Sequence, residues 1–281
     1  MRASGGGIAV ARDWLTLVPV GVLVLAAYHG VLAGMVAQWL DDPNYSHGLI
    51  VPLVSGWFAW QRRDDLRRAV YAPANSGLAL ILFALVLLLG GTAAAELFST
   101  RVSFILLIVG AIAWLFGWGI VKILALPLGY LFFMVPWPYL VYDAVAFPLK
   151  LFVARFSVAI LQLAGVIVWR EGNIIQFPNT LFEVADACSG LRSMVSLLAL
   201  AVALAFLYLR RPVPRTVLIL MAIPVAVLTN MVRVIGTGFL AQYMGAGAAE
   251  GFFHEFAGLG VFALALVLLF GFGALLRRLE R

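Results

Sequence analysis

Apolar residues along the chain gather into long, nearly unbroken runs separated by short polar clusters. The runs cover residues 14–36, 48–60, 77–98, 102–118, 120–135, 191–209, 216–240 and 256–276. Most approach the roughly 20 residues that an α-helix needs to cross a hydrocarbon core. The second and fifth are shorter than the rest. The pattern predicts an all-α polytopic membrane protein with about eight transmembrane helices, organised as one membrane domain over residues 1–281. The stretch between the fifth and sixth runs, residues 136–189, reads differently. Residues 143–165 are apolar but carry Lys150 and Arg155, which predicts an amphipathic helix lying in the interface or re-entering the bilayer. Residues 166–177 alternate around Glu171-Gly172-Asn173, which predicts a small β-hairpin with a glycine-containing turn.

Composition agrees with the runs: 64% of residues are hydrophobic and 11% charged, whereas a soluble domain is about half apolar and about a quarter charged. The net charge of +6 does not indicate a nucleic-acid partner, because the basic residues sit in short clusters between apolar runs. Those clusters set the orientation. With eight spans, Arg2, Arg12, Arg62, Arg63, Arg67, Arg68, Lys122, Arg210, Arg211, Arg215, Arg277, Arg278 and Arg281 fall on one side. Arg101, Lys150, Arg155, Arg170, Arg192 and Arg233 fall on the other. Thirteen of the 19 Lys and Arg on one side predicts that both termini are cytoplasmic. The first run has no convincing cleavage site and is followed by further spans, so it reads as a retained helix.

This orientation gathers the chemically unusual residues at the outer face. Cys188, the only cysteine, immediately precedes the sixth run. It can form no internal disulfide, and it opens a helix whose positive end lowers a thiol's pKa. Its surroundings, from Glu183 through Asp186, Ser189 and Arg192, are polar and tight rather than core-like. Arg233 lies far along the seventh run, with Asn230 three residues earlier on the same helical face. His254 precedes the eighth run, and His47, in Tyr45-Ser46-His47-Gly48, precedes the second. His29, on an apolar helix, reads as structural.

Each of these residues also has a plain role: a buried small hydrophobe for Cys188, a snorkelling cation for Arg233, an interfacial histidine for His254. Together they make a different set. A thiol must lose its proton to attack a carbonyl, and a histidine can take that proton and return it to the leaving amine. A fixed guanidinium can hold the negative charge that develops on oxygen, with Arg233 or Arg192 as the cation. No metal is expected, since one Cys and three His show no ligand spacing, and no cofactor motif is present.

At these residues the chain resembles the exosortases, of the exosortase/archaeosortase group. The resemblance rests on Asn44-Tyr45-Ser46-His47-Gly48, Arg170-Glu171-Gly172-Asn173, Glu183-Val184-Ala185-Asp186-Ala187-Cys188-Ser189-Gly190-Leu191-Arg192, Ile223-Pro224-Val225-Ala226 with Asn230-Met231-Val232-Arg233, and His254 ahead of a glycine-containing last helix. It implies a cysteine transpeptidase or protease of the bacterial inner membrane, linked to exopolysaccharide producers, with its active site facing the periplasm. It implies Cys188 as nucleophile, Arg233 as catalytic arginine and His254 as catalytic histidine. His47, Tyr45, Asn230, Arg192, Glu183, Asp186 and Ser189 are supporting or substrate-binding candidates. The implied substrates are membrane-anchored proteins whose C-terminal sorting signal has a Pro-Glu-Pro-like motif, a transmembrane helix and a basic tail; the acyl acceptor stays open. Some relatives carry an added C-terminal periplasmic domain, which is not expected in this chain. Two other classes fit the residues alone: a non-enzymatic membrane subunit of polysaccharide export, and a membrane acyltransferase acting on lipid or sugar.

Overall fold

A computed structural model describes residues 14–42, 44–178, 180–183, 191–244 and 252–280. Among them, six helices are long and apolar enough to cross a membrane, and two shorter apolar helices accompany them. The chain divides into two compact units, Met1–Pro138 and Tyr139–Arg281.

The first unit holds α1 (Trp14–Asp41), α2 (Val51–Gln61), α3 (Arg63–Arg68), α4 (Asn75–Ala93), α5 (Leu97–Phe116), α6 (Trp118–Ile123) and α7 (Ala125–Tyr130). Short 3-10 turns at Ser46–Leu49 and Leu131–Met134 precede α2 and follow α7. The second predicted run yields only the 11-residue α2, about 16 Å of rise. The fifth run breaks into α6, α7 and a 3-10 turn. Pro127 explains the break, because it has no N–H to offer the carbonyl of Ile123, and the backbone departs from helix at Leu124.

Helices α4 and α5 form the tightest pair of this unit. Lipid tails are as apolar as leucine, so close backbone approach, rather than the hydrophobic effect, holds such pairs. A methyl placed on Gly77 would run into the backbone nitrogen of Trp114 and come within 2.7 Å of the Gly110 carbonyl oxygen. Gly90, on the same helix, faces open space. Gly77→Ala is therefore expected to cost about 1–3 kcal/mol by overpacking. Gly90→Ala should be neutral or slightly stabilising. Thermal unfolding of the two variants in detergent checks this; equal midpoints would contradict it.

Polar side chains inside this unit are satisfied by specific partners. Tyr28 and Ser103 share a 3.0 Å hydrogen bond, Trp39 Nε1 donates to the Met134 carbonyl at 3.0 Å, and Ser55 donates to the Pro127 carbonyl at 2.8 Å. Glu96 caps α5, its two oxygens accepting from the backbone N–H groups of Phe98 (2.8 Å) and Ser99 (2.7 Å).

The second unit holds α8 (Tyr139–Leu163), three strands, α9 (Leu191–Tyr208), α10 (Pro212–Met244) and α11 (Phe252–Leu279). The predicted interfacial helix is present as the 25-residue α8, which by length and composition alone suffices to cross a membrane. The predicted hairpin is present as β1 (Trp169–Glu171) and β2 (Ile174–Phe177), paired antiparallel with Arg170 opposite Ile175. A third strand, β3 (Thr180–Glu183), pairs with β2 and extends the hairpin to three strands.

Two apolar cores organise this unit. Val153, Ala154, Val158 and Leu161 of α8 pack with Val166, Val168, Ile175 and Phe177 around the sheet and with Val234 of α10. Leu197, Ala201, Leu204 and Ala205 of α9 pack with Leu218, Ala222, Val225 and Ala226 of α10 and with Ala265 and Leu269 of α11. The many alanines let the three helices approach closely. At one end, the Glu280 carboxylate accepts hydrogen bonds from the backbone N–H groups of Arg210 and Arg211 at 2.9–3.2 Å. These bonds, with the charge of Arg211 and Arg215 nearby, hold its pKa below the usual carboxylate value and fix the tail of α11 to the start of α10.

Candidate active site

Arg233 sits on α10, 22 residues beyond Arg211, a rise of about 33 Å. Gly258 sits on α11, 22 residues before Glu280. Because Glu280 is bonded to Arg211 at the opposite end, the two helices run antiparallel and bring Arg233 level with Gly258. The side chains confirm the match: a methyl on Gly258 would lie 3.6 Å from Cζ and Nη2 of Arg233 and 3.9 Å from Nη1. The flat guanidinium thus rests against the bare backbone of α11. His254 is four residues before Gly258, one helical turn further on the same face.

The core around the sheet meets α10 near this level. Val234, adjacent to Arg233, packs on the Ile175 and Phe177 side of the sheet. The chain leaves that sheet through β3, which ends at Glu183. Helix α9 begins at Leu191 and ends beside the start of α10, where Arg215 Nε donates to the Leu209 carbonyl at 2.9 Å. Its 18 residues rise about 27 Å, so its start lies toward the Arg233 end. The segment holding Cys188 is bounded by these two elements.

Cys188, Asp186 and Ser189 themselves lie outside the described residues. Glu183, Arg192 and His254 are placed by their backbone, at the end of β3, the first turn of α9 and the first turn of α11. Asn230 is 3% exposed, in the body of α10 one turn before Arg233, where a polar side chain is engaged within the protein rather than with solvent.

Beside Arg233, an open groove of about 430 Å³ runs between α10 and α11, lined by Val232, Arg233, Gly236, Leu240, Gly260 and Val261 among others. Neither Gly236 nor Gly260 would meet an atom within 4 Å if given a methyl, so the two glycines widen the groove next to the guanidinium.

Tyr45 and His47 belong to the first unit. The His47 Nε2 donates to the Phe133 carbonyl at 3.1 Å, and burial lowers the imidazole's pKa. His47 thereby ties one 3-10 turn to the other. Burial, then the charge of Asp42, raises the Tyr45 pKa. Arg101, a loop charge by the hydropathy pattern, joins them: it is 6% exposed inside α5, with Tyr45 and Glu96 as its electrostatic neighbours. Its position four residues into an apolar helix was the available signal, since an ionisable group within a span marks a functional candidate.

The transmembrane exosortase family model (Exosortase_EpsH) matches residues 39–271. No curated protein and no solved structure matches the chain.

Proposed function

Because the chain belongs to the transmembrane exosortase family, we propose that it is a membrane-embedded cysteine peptidase and transpeptidase acting on the C-terminal sorting signals of exported proteins. The observation that carries this reading is the Arg233 guanidinium lying against Gly258, with His254 one helical turn before that glycine on the same helix.

The chemistry follows from the three groups. His254 takes the proton of the Cys188 thiol, and the thiolate sulfur attacks the scissile carbonyl carbon. The carbonyl π electrons move to oxygen, and the Arg233 guanidinium holds the resulting negative charge. On collapse the C–N bond breaks, and His254 returns its proton to the leaving amine. A thioester between Cys188 and the upstream part of the substrate remains. An amine or water attacks it, giving a transferred or released product and the free thiol. A methyl at Gly258 would sit in ordinary van der Waals contact with the guanidinium, at 3.6 Å, so this turn of α11 forms one wall of the arginine's position.

The substrate is a protein tail with a Pro-Glu-Pro-like motif, one transmembrane helix and a basic end. Such a tail inserts with its basic end in the cytoplasm, which puts its motif at the outer interface of the inner membrane. The site is assigned to that face, with Lys150 and Arg155 keeping α8 from completing a crossing. The single native thiol reports on the assignment. A membrane-impermeant maleimide should label Cys188 in intact spheroplasts; labelling only after permeabilisation would overturn the sidedness.

The direct test of the function is intact mass spectrometry of the purified protein after incubation with a membrane-anchored sorting-signal peptide. A hydroxylamine-labile adduct of the upstream fragment, mapped to Cys188, is expected. Cleavage without any adduct on Cys188, or an adduct on another residue, would overturn the mechanism.

A further inference from the structure

Within the first unit, a groove of about 760 Å³ lies between α1, α4 and the start of α5. Its walls are apolar, supplied by Ala27, Val31, Leu88 and Leu89, while Glu96 and Arg101 line it together. On the α1 side, Gly30 and Gly34 open it: a methyl on either would meet nothing within 4 Å.

Arg101 is the reason this groove needs an occupant. The guanidinium cannot be deprotonated, and its residue is 6% exposed. A buried charge is costly without a counter-charge and hydrogen-bond acceptors. Among the described residues Arg101 makes no ion pair and donates no hydrogen bond; its electrostatic neighbours are Tyr45 and Glu96. Tyr45 is a neutral phenol. The Glu96 oxygens are engaged by the N–H groups of Phe98 and Ser99. Those bonds, foremost the contact with Ser99, hold the Glu96 pKa below the usual carboxylate value, so it stays anionic. Each of its oxygens keeps a spare lone pair.

The groove therefore offers an apolar channel, one fixed cation and one fixed anion. We propose that it binds a phospholipid whose headgroup joins a phosphate to a primary ammonium, the phosphatidylethanolamine class. The phosphate accepts from the Arg101 guanidinium, for which the planar fork is well suited. The ammonium donates to Glu96, and an acyl chain lies along Gly30 and Gly34 between α1 and α4. An anionic lipid without the ammonium satisfies Arg101 but places its headgroup against Glu96 with no compensating charge. The lipid then acts as a resident part of the first unit, independent of the peptide chemistry assigned to Arg233.

The test is native mass spectrometry of the full-length protein, delipidated in detergent and mixed with equal amounts of phosphatidylethanolamine and phosphatidylglycerol. Wild type should retain one phosphatidylethanolamine in preference to phosphatidylglycerol. Arg101→Gln should weaken retention of both by about tenfold, the loss of one charged hydrogen-bonded contact. Glu96→Gln should abolish the preference while leaving phosphatidylglycerol bound. Since Arg101→Gln could also disturb folding, Gly34→Leu provides the second arm: it fills open space, leaves both charges in place, and should reduce retention about as much. Equal retention of the two lipids by wild type, retention of neither, or undiminished binding by Gly34→Leu would overturn the proposal.

Discussion

Cys188→Ala should abolish processing of a sorting-signal substrate, and Cys188→Ser should not restore it. A nucleophile that forms the covalent intermediate is not replaced by the remaining machinery, so a loss of about a thousandfold or more is expected. Serine keeps the shape but not the acidity: a thiol lies near pKa 8.5 and is further lowered beside a cation or a helix N-terminus, whereas a hydroxyl stays protonated. Pulse-chase of a tagged substrate in cells, reading the mass shift of the tail, gives the result. Because Cys188 is the only cysteine, neither variant disturbs a disulfide. Undiminished processing by either would sink the nucleophile assignment, and the polysaccharide-export and acyltransferase readings would regain ground.

The second large effect belongs to Arg233. Removing one oxyanion-stabilising donor costs about 10²–10³ in kcat, so Arg233→Ala should lose that much with KM little changed. Arg233→Lys should recover only a small part. The guanidinium rests flat against the backbone at Gly258, 3.6 Å from where a methyl would be. A lysine ammonium keeps the charge but not the planar, several-donor contact. Full rescue by lysine would mean that charge alone is needed; a change confined to KM would assign Arg233 to substrate binding instead.

The sequence reading was most accurate where one signal dominates. Long apolar runs became α1, α4, α5, α10 and α11 because backbone groups in lipid must bond within the helix. The alternation on either side of Gly172 became β1 and β2 because Gly172 takes the positive φ of +62° that the turn requires. It was least accurate where two signals compete. Pro127 sits within an apolar run, and the missing N–H won, so the fifth run is segmented. Lys150 and Arg155 point to a helix lying in the interface or re-entering, while the length and composition of residues 139–163 alone would also allow a crossing. The strand β3 is four residues long, and pairing with β2, not its own pattern, makes it a strand.

For the site, the sequence named the residue types but not their meeting. Arg233 and Gly258 are 25 positions apart. Only the antiparallel arrangement of α10 and α11, locked by Glu280 on Arg210 and Arg211, sets them side by side. Arg101 was missed because counting it as a loop charge concealed its burial within α5. His47 donates to the Phe133 carbonyl, a bond between two turns that lie 86 positions apart in the chain and that no sequence pattern displays.

The central claim is that the sulfur of Cys188 reaches the imidazole of His254 beside the Arg233 guanidinium. Disulfide trapping tests it directly, since two cysteines bridge only when their Cα atoms lie within about 7 Å. With Cys188 as the only native thiol, His254→Cys should give a bridge between positions 188 and 254 under mild oxidation, seen as a crosslinked peptide pair after proteolysis. Val267→Cys, exposed 13 residues and about 20 Å of rise further along α11, should give none. Failure of the 254 pair to form, or equal crosslinking from 267, would contradict the account.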